Sequence, residues 1–279
     1  MSINARSKTQ AHTDYRAGPN GTMAPVDHLL QATARVESRH FWFKGLRRFA
    51  TPLLLQATHG ISDVRLLDCG CGTGANVAWL RQYGRAWGFD LTASGPELGR
   101  SLGRHGLARA SITAIPFETG SFDVVTSFDV LYSLSERDEE AAVAEMYRVV
   151  KPGGYLIVNV AAMKALVGDH SVLSHELRRY SRSSIASALT RGGFRVLRAT
   201  YTNMTLVPLL LIVRSLQRAR GLAPEARADG DIQLPPAPVN ALLSWLLTFE
   251  ALWLRWVDEP FGSSLLCLAQ KPREGGSPS

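Results

Sequence analysis

Val64-Arg65-Leu66-Leu67-Asp68-Cys69-Gly70-Cys71-Gly72-Thr73-Gly74-Ala75 is the stretch that decides the fold. Val64, Leu66 and Leu67 read as a buried strand of a parallel sheet, and Ala75, Val77, Ala78, Trp79 and Leu80 as the first turns of a helix. The glycines fall between the two. Without Cβ atoms they permit positive φ and close approach of backbone to a ligand, and the helix that follows offers unpaired N–H groups. A strand, a glycine loop and a helix start together form a cradle for a nucleotide-like cofactor.

Two cofactor classes use such a cradle. A dinucleotide places a pyrophosphate on the helix N-terminus, which Asp68 would oppose. S-adenosylmethionine brings an ammonium and a sulfonium, beside which a carboxylate is favourable. Gly70, Gly72 and Gly74 match G-x-G-x-G, but Ala75 also permits the G-x-G-x-x-A variant, so the loop alone leaves both classes open.

Outward from the loop the chain alternates strands and helices. Further strands are expected at Arg85 to Asp90, Ala108 to Thr113, Phe122 to Phe128 and Tyr155 to Val160. A helix is expected from Ser135 to Val150, with Ser135 and Asp138 as a capping signature and Val143, Met146, Tyr147 and Val150 on one face. Lys151-Pro152-Gly153-Gly154 ends it. This alternation predicts an α/β, Rossmann-like, doubly wound parallel sheet with its ligands, and hence these motifs, at the carboxyl ends of the strands. Beyond residue 180 come a helix at Ser183 to Thr190, a turn at Gly192-Gly193, a strand at Arg195 to Tyr201 and a last strand at Ser264 to Ala269. Two apolar helical segments near Leu206 to Gln217 and Val239 to Val257, joined by a Pro- and Ala-rich loop, read as an insertion between those two strands. The expected organisation is a flexible tail (1–24), one domain (25–273) with a helical insertion or cap (203–260), and a second tail (274–279).

Composition narrows the partners. The 279 residues are 46% hydrophobic and 20% charged, as in an ordinary globular protein. The net charge of +7 invites a nucleic-acid reading, but the arginines are scattered and lack the interleaved aromatic strips of a single-strand groove. No nucleic-acid partner is therefore expected. Three cysteines, two of them in the glycine loop, fit small-residue packing in a reducing cytoplasm, and no metal is implied. The first two dozen residues have no apolar core of the kind a signal peptide carries.

Asp90 ends the second strand, 22 positions after Asp68, where an acid meets two ribose hydroxyls. Taken together, Asp68-x-Gly-x-Gly-x-Gly74, Asp90, Ile115-Pro116-Phe117, Ser121-Phe122-Asp123-Val124-Val125 and Val150-Lys151-Pro152-Gly153-Gly154 resemble the class I S-adenosylmethionine-dependent methyltransferases of the bacterial small-molecule type. The resemblance implies a seven-stranded sheet of order 3-2-1-4-5-7-6 with the last strand antiparallel. It places Asp68, Gly70, Gly72 and Gly74 around the methionine portion of the cofactor. Asp90 and Leu91 would then hold the ribose and the adenine edge, Thr113, Ala114 and Ile115 would flank the base, and Phe128 and Tyr132 would line the methyl side. Where many relatives carry Asp-Ala to bind the adenine amino group, this chain has Ser111-Ile112.

His40-Phe41-Trp42-Phe43-Lys44-Gly45-Leu46-Arg47-Arg48 and His175-Glu176-Leu177-Arg178-Arg179-Tyr180 are similar to segments of one bacterial subgroup. By that resemblance the first is an N-terminal helical lid with Arg47 near the cofactor carboxylate, or an amphipathic helix packing its aromatics. Methyl transfer needs alignment and, for some acceptors, a base. His170 or His175 is the expected base, with Tyr180 or Tyr132 orienting the acceptor. Neither insertion segment is long and unbroken enough to span a bilayer. Trp245, Trp253 and Trp256 with Arg214, Arg218 and Arg220 suit a cap over an apolar or lipid-like small molecule, or peripheral contact with a membrane surface. The rival functions are a nicotinamide-dependent oxidoreductase, a nucleic-acid methyltransferase and a non-catalytic cofactor-binding or membrane-associated protein.

Overall fold

The computed structural model describes residues 25–222 and 233–273, without the side chains of 25–28, 170 and 173. Both expected tails, and most of the Pro- and Ala-rich loop, lie outside these residues. Helices α1 (Pro25–Val36) and α2 (Phe41–Thr58) precede the alternating core of β1 (Arg65–Cys69), α3 (Ala75–Leu80), β2 (Arg85–Asp90), α4 (Ser94–Ser101), β3 (Leu107–Arg109), β4 (Phe122–Phe128), α5 (Glu136–Val149) and β5 (Val150–Ala161). There follow α6 (Asp169–Leu173), α7 (Arg182–Arg191), β6 (Arg195–Thr202), α8 (Val207–Ala219), α9 (Ala237–Trp253) and β7 (Ser264–Gln270). The strands form one seven-stranded sheet of order β3-β2-β1-β4-β5-β7-β6, with β7 antiparallel to both neighbours.

The sheet is buried on both faces, and the alternation of side chains divides each central strand between two cores. Leu67, Val125, Leu156 and Val158 point to the face covered by α5 and α7, with Met146, Ile185 and Phe194. Their neighbours Leu66, Val124 and Ile157 point to the other face, covered by α2, α3 and α9, with Leu54, Leu80 and Leu247. Every residue of β4 is buried. This explains why apolar residues fall on both of its faces, at Phe122, Val124, Val125 and Phe128, rather than in alternation. Burial of each such Val or Leu side chain contributes about 2 kcal/mol.

Several sequence expectations need correction. The third strand is only Leu107–Arg109, because Ser111 pairs with Ala114 in a tight turn instead of extending the ladder. The fifth begins at Val150, not Tyr155: Phe122 pairs with Val150 and Val124 with Tyr155, so Lys151-Pro152-Gly153-Gly154 bulges out of one continuous strand. That bulge and Phe122-Asp123 lie at the amino ends of β5 and β4, opposite the ligand end. Their work is structural, since Lys151 Nζ donates to Asp123 Oδ1 (2.7 Å) and the Arg65 N–H donates to Asp123 Oδ2 (2.9 Å). The capping site of α5 is present, with the Asp138 N–H donating to Ser135 Oγ at 3.1 Å.

The motif helix α2 is a body helix. Phe49, Leu53, Leu54 and Ala57 bury into the sheet, and α9 lies along it. A Cβ at Gly45 would stand 2.5 Å from Leu247 Cδ1, so the glycine admits α9. Polar bonds fix the pair: Arg48 Nη1 donates to Ser244 Oγ (3.0 Å), and the Phe41 N–H donates to Asn240 Oδ1 (2.9 Å). The element over the glycine loop is α1.

One buried carboxyl anchors the insertion, and a second lies beside it without a donor. Glu250 accepts from the Met204 N–H (3.0 Å), the Thr205 N–H (3.0 Å) and the Thr205 hydroxyl (2.5 Å), tying α9 to the segment that opens α8. Glu259 is 1% exposed, and neither of its oxygens has a donor among the described residues. Burial and the adjacent Glu250 carboxylate push its pKa up to about 9. Between the ordinary carboxylate range and that value the folded protein holds a proton that the unfolded chain releases, so stability falls as pH rises through this window. Glu259→Gln keeps a donor toward Glu250 but cannot ionise. Thermal melts from about pH 6 to about pH 9 should show the wild type losing stability relative to the variant. Parallel melting curves would contradict the assignment.

Candidate functional site

At the carboxyl end of β1 the chain enters its glycine loop. Gly70, Gly72 and Gly74 all have positive φ, at 79°, 51° and 79°. The Gly70 and Cys71 N–H groups both donate to the Phe89 carbonyl (2.9 Å), which holds the loop against β2. A Cβ at Gly70 would lie 2.3 Å from Val130 Cγ2, so the loop also touches the segment leaving β4. Only glycine satisfies both conditions there.

Asp68 is 1% exposed. Thr126 Oγ1 donates to its Oδ1 (2.7 Å), while its Oδ2 is buried with no hydrogen-bond partner among the described residues. Burial pushes its pKa up to about 7. A buried carboxyl oxygen left unpaired is costly, and a cationic or hydrogen-bonding ligand beside it removes that cost. Arg47 comes from α2 and donates to Asn76 Oδ1 (3.1 Å). Burial lowers its pKa, against the opposing pull of Glu37. The Cys69 and Cys71 thiols are buried and pushed upward in pKa, chiefly by desolvation, so neither is an activated nucleophile.

Asp90 lies at the end of β2 and reaches back to the loop. Its Oδ2 accepts from the Gly72 N–H (2.8 Å), and its Oδ1 from the Thr92 N–H (3.0 Å) and hydroxyl (2.8 Å). Leu91 is half exposed. Past β3, the Ile115 N–H donates to Glu145 Oε2 (2.8 Å) and Arg148 Nη2 donates to the Ile115 carbonyl (2.9 Å), so α5 fixes the Thr113-Ala114-Ile115 turn. The Ser111 hydroxyl is engaged locally, 2.7 Å from Thr113 Oγ1.

The N-terminal helix closes this region. Leu30 reaches toward Gly72, and Glu37, just beyond α1, brings its carboxylate oxygens within 2.8 and 2.9 Å of the Thr73 hydroxyl. Arg104 pairs with Glu37 (2.6 Å) and donates to the Thr73 carbonyl (3.0 Å). No sequence signal marks this cluster, because its members are 31 and 36 residues apart.

At the carboxyl ends of β4 and β5 lies a cavity of about 60 Å³. Trp42, Tyr132, Leu166 and Leu210 give it apolar walls, and Asp129, Glu176, Arg179 and Arg214 give it charge. Asp129 follows β4 directly, in a left-handed backbone conformation (φ 61°) that costs a non-glycine residue energy. Asn159 Nδ2 donates to its Oδ1 (2.9 Å), and the Asp129 N–H donates to the Asn159 carbonyl (2.9 Å). Burial raises its pKa to about 7. Asp129 is absent from the residues expected from sequence. The signal that could have found it is an acid immediately after an apolar parallel strand, at the end where such sheets bind ligands.

The remaining expected residues separate. Phe128 packs near Trp79 on the α2 face, while Tyr132 lines the cavity. Tyr180 donates its hydroxyl to the Leu131 carbonyl (3.2 Å), and burial raises its pKa. His175 is exposed, in a left-handed turn after α6. The side chain of His170 lies outside the described structure. Arg179, from the same motif, donates to the Ala162 carbonyl (2.8 Å) and pairs with Glu176 (2.8 Å) at the cavity wall.

Residues 67–158 match the family model described as a methyltransferase domain. A malonyl-[acyl-carrier protein] O-methyltransferase of Enterobacter lignolyticus is 31% identical over 185 residues, covering 62% of this chain and 72% of the relative. The chain belongs to the class I S-adenosylmethionine-dependent methyltransferases. Within this family, a ubiquinone/menaquinone biosynthesis C-methyltransferase of Neisseria meningitidis is 31% identical over 123 residues, covering 41% of this chain and 49% of that one. Among solved structures, the fold is shared with the Haloferax volcanii complex of the Trm112 methyltransferase activator and its methyltransferase, with a TM-score of 0.57, 19% identity, and coverage of 91% of this chain and 98% of that one. The matched residues include the glycine loop whose geometry Gly70, Asp68 and Val130 define here.

The closure of α1 is testable in this methyltransferase without a ligand. Glu37→Gln removes the charge that Arg104 pairs with. Hydrogen exchange of residues 29–36 should accelerate by roughly tenfold or more, with the β4 amides unchanged. Unchanged exchange in α1 would show that the cluster does not hold it.

Proposed function

We propose that this chain transfers a methyl group from S-adenosylmethionine to a small acceptor held in the cavity beside Asp129. One observation carries the reading: Gly70 of the glycine loop abuts Val130, and Val130 directly follows Asp129, which lines the cavity, so one short segment after β4 links the donor cradle to the acceptor cavity. When bound, the cofactor supplies a methyl already activated by its sulfonium.

The residues present fit that group. The unpaired Asp68 Oδ2 would receive the cofactor's ammonium, directly or through water, and Arg47 would face its carboxylate. Gly70, Gly72 and Gly74 leave the backbone open to it. Asp90 Oδ2 has one lone pair left for a ribose hydroxyl, whereas its Oδ1 is already filled by Thr92. With Ser111 engaged by Thr113 and the N–H groups of Thr113, Ala114 and Ile115 already donated to Ser111 and Glu145, the turn would offer the base the Thr113 and Ala114 carbonyls.

Asp129 is the base we propose. It lines the cavity, Asn159 orients it, and burial brings its pKa close to neutrality, where a general base is most effective. Tyr132 contributes a wall to the acceptor. Tyr180 holds the core beneath it, and His175 lies away from the cavity lining. The lining combines apolar walls with a charged end, which suits an acceptor with an apolar body and one polar reactive group. The cavity is small, about 60 Å³, and only partly enclosed, with Trp42 and Leu210 among its walls. The relative named as acting on a malonyl-acyl carrier protein and the one named for ubiquinone/menaquinone biosynthesis support an acceptor of this kind, while another relative, of Bos taurus, is named as a probable tRNA methyltransferase.

Calorimetry should show binding of S-adenosylmethionine and none of NADH, with Asp68→Asn weakening the former at least tenfold. Binding of NADH alone would overturn the cofactor assignment. In a methyl-transfer screen over small acids, phenols and quinols, Asp129→Asn should lower kcat by about 10² to 10⁴ at little change in KM. It should also abolish the rise in rate as pH increases through about 7, where Asp129 loses its proton. His170→Ala serves as the comparison: a larger loss there than in Asp129→Asn would move the base to the histidine.

A further inference from the structure

The two helices of the insertion are apolar on more than the face they bury. On α9 the inward residues are Leu247, Ala251 and, at its C-cap, Leu254, packed on α2 and the sheet. A second stripe follows helical spacing on the opposite side: Leu242, Trp245, Phe249, Leu252 and Trp253, continued by Trp256 just past the helix end. These side chains are exposed, Trp256 by 85%. On α8, Leu210 and Arg214 face the cavity, while Leu209, Ile212 and Leu216 form an exposed stripe of the same kind. A helix apolar all round is normally buried all round, and exposed apolar surface of this extent marks a contact with something else.

Charge selects the occupant. Among the described residues between 203 and 260 the exposed cations are Arg255, Arg218, which donates to the Ala165 and Val167 carbonyls, and Arg220, which pairs with Asp169. The carboxylates described there are Glu250 and Glu259, both buried, and Asp258, which pairs with Arg198. The whole chain carries +7. Docking two such faces on each other would bring like charges together, whereas an anionic surface complements them. Tryptophan rings lie favourably at the boundary between headgroups and acyl chains, with arginines reaching the phosphates. Among the described residues no helix is long and apolar enough to cross a membrane, so any lipid contact of these helices is lateral.

We infer that the α8–α9 insertion is a docking face for anionic phospholipid bilayers, with the outer stripe of α9 seated in the interface. The bonds that fix α9 to α2 present this stripe as a rigid ridge. Because α8 carries apolar residues outward and a cavity wall inward, docking sets the cavity one helix away from the lipid. A membrane-dissolved acceptor would then reach it without crossing water.

The test is read from binding alone, so its failure is distinct from failure of the methyl-transfer reading. Full-length protein should float with vesicles of phosphatidylcholine and phosphatidylglycerol at 7:3, with a blue shift of tryptophan emission. Binding should fall at least tenfold on pure phosphatidylcholine, and also at high salt. The double variant Trp253→Ser/Trp256→Ser should lose binding at least tenfold with an unchanged melting temperature, since both rings are exposed in the folded protein. Absence of binding to the anionic vesicles, or wild-type binding by the double variant, would overturn the proposal. So would sedimentation showing a dimer that these substitutions dissociate, which would assign the face to a second copy of the chain.

Discussion

The pairing of β1 with β4 is the constraint on which the rest of the molecule depends. Leu66, Leu67 and Asp68 lie in register with Val124, Val125 and Thr126. From the ends of these two strands the chain departs to opposite faces, through α3 to one core and through α5 to the other. A crevice opens where such departures diverge. Asp68 and Thr126 close its floor, Gly70 meets Val130 at its rim, and Asp129 stands on its far side. A sheet with any other neighbour for β1 would not bring these residues together.

The site is costly to build. Asp68 and Glu259 are buried carboxyls and Asp129 a half-buried one, desolvation raises the pKa of all three, and Asp129 also holds a left-handed backbone. Groups of this kind cluster where ligands or protons are handled. Two lie at the crevice and fit that description. Glu259 lies instead in the segment linking α9 to β7, beside Glu250, which anchors the insertion.

Much of the fold is legible in the sequence because its signals are local. Strands with both faces buried read as continuous apolar runs, and glycines spaced through a strand-to-helix junction mark a backbone that turns tightly and must stay open. Arg85–Asp90 and Phe122–Phe128 accordingly have the same bounds in the sequence reading and in the sheet. The third strand stops short of its expected end because Ser111 turns the chain through hydrogen bonds that compete with the ladder. The Lys-Pro-Gly-Gly stretch does terminate a helix, as its chemistry suggests, but the bulge it forms is at the end of the sheet away from the glycine loop, held by Asp123. The role of α2 depends on its partner, which arrives some 200 residues later as α9.

By itself the sequence determined the order of the elements, the glycine loop after the first strand and the family, since periodicity, glycine conformations and short motif spacings are properties of neighbouring residues. Only the tertiary structure decided which helix covers the loop, which acid borders the cavity, and which face of the insertion remains exposed. Those outcomes rest on contacts between residues far apart in the chain: Glu37 with Thr73, Gly70 with Val130, and α2 with α9. A side chain's burial, its pKa and the free side of a helix are set by what packs against it.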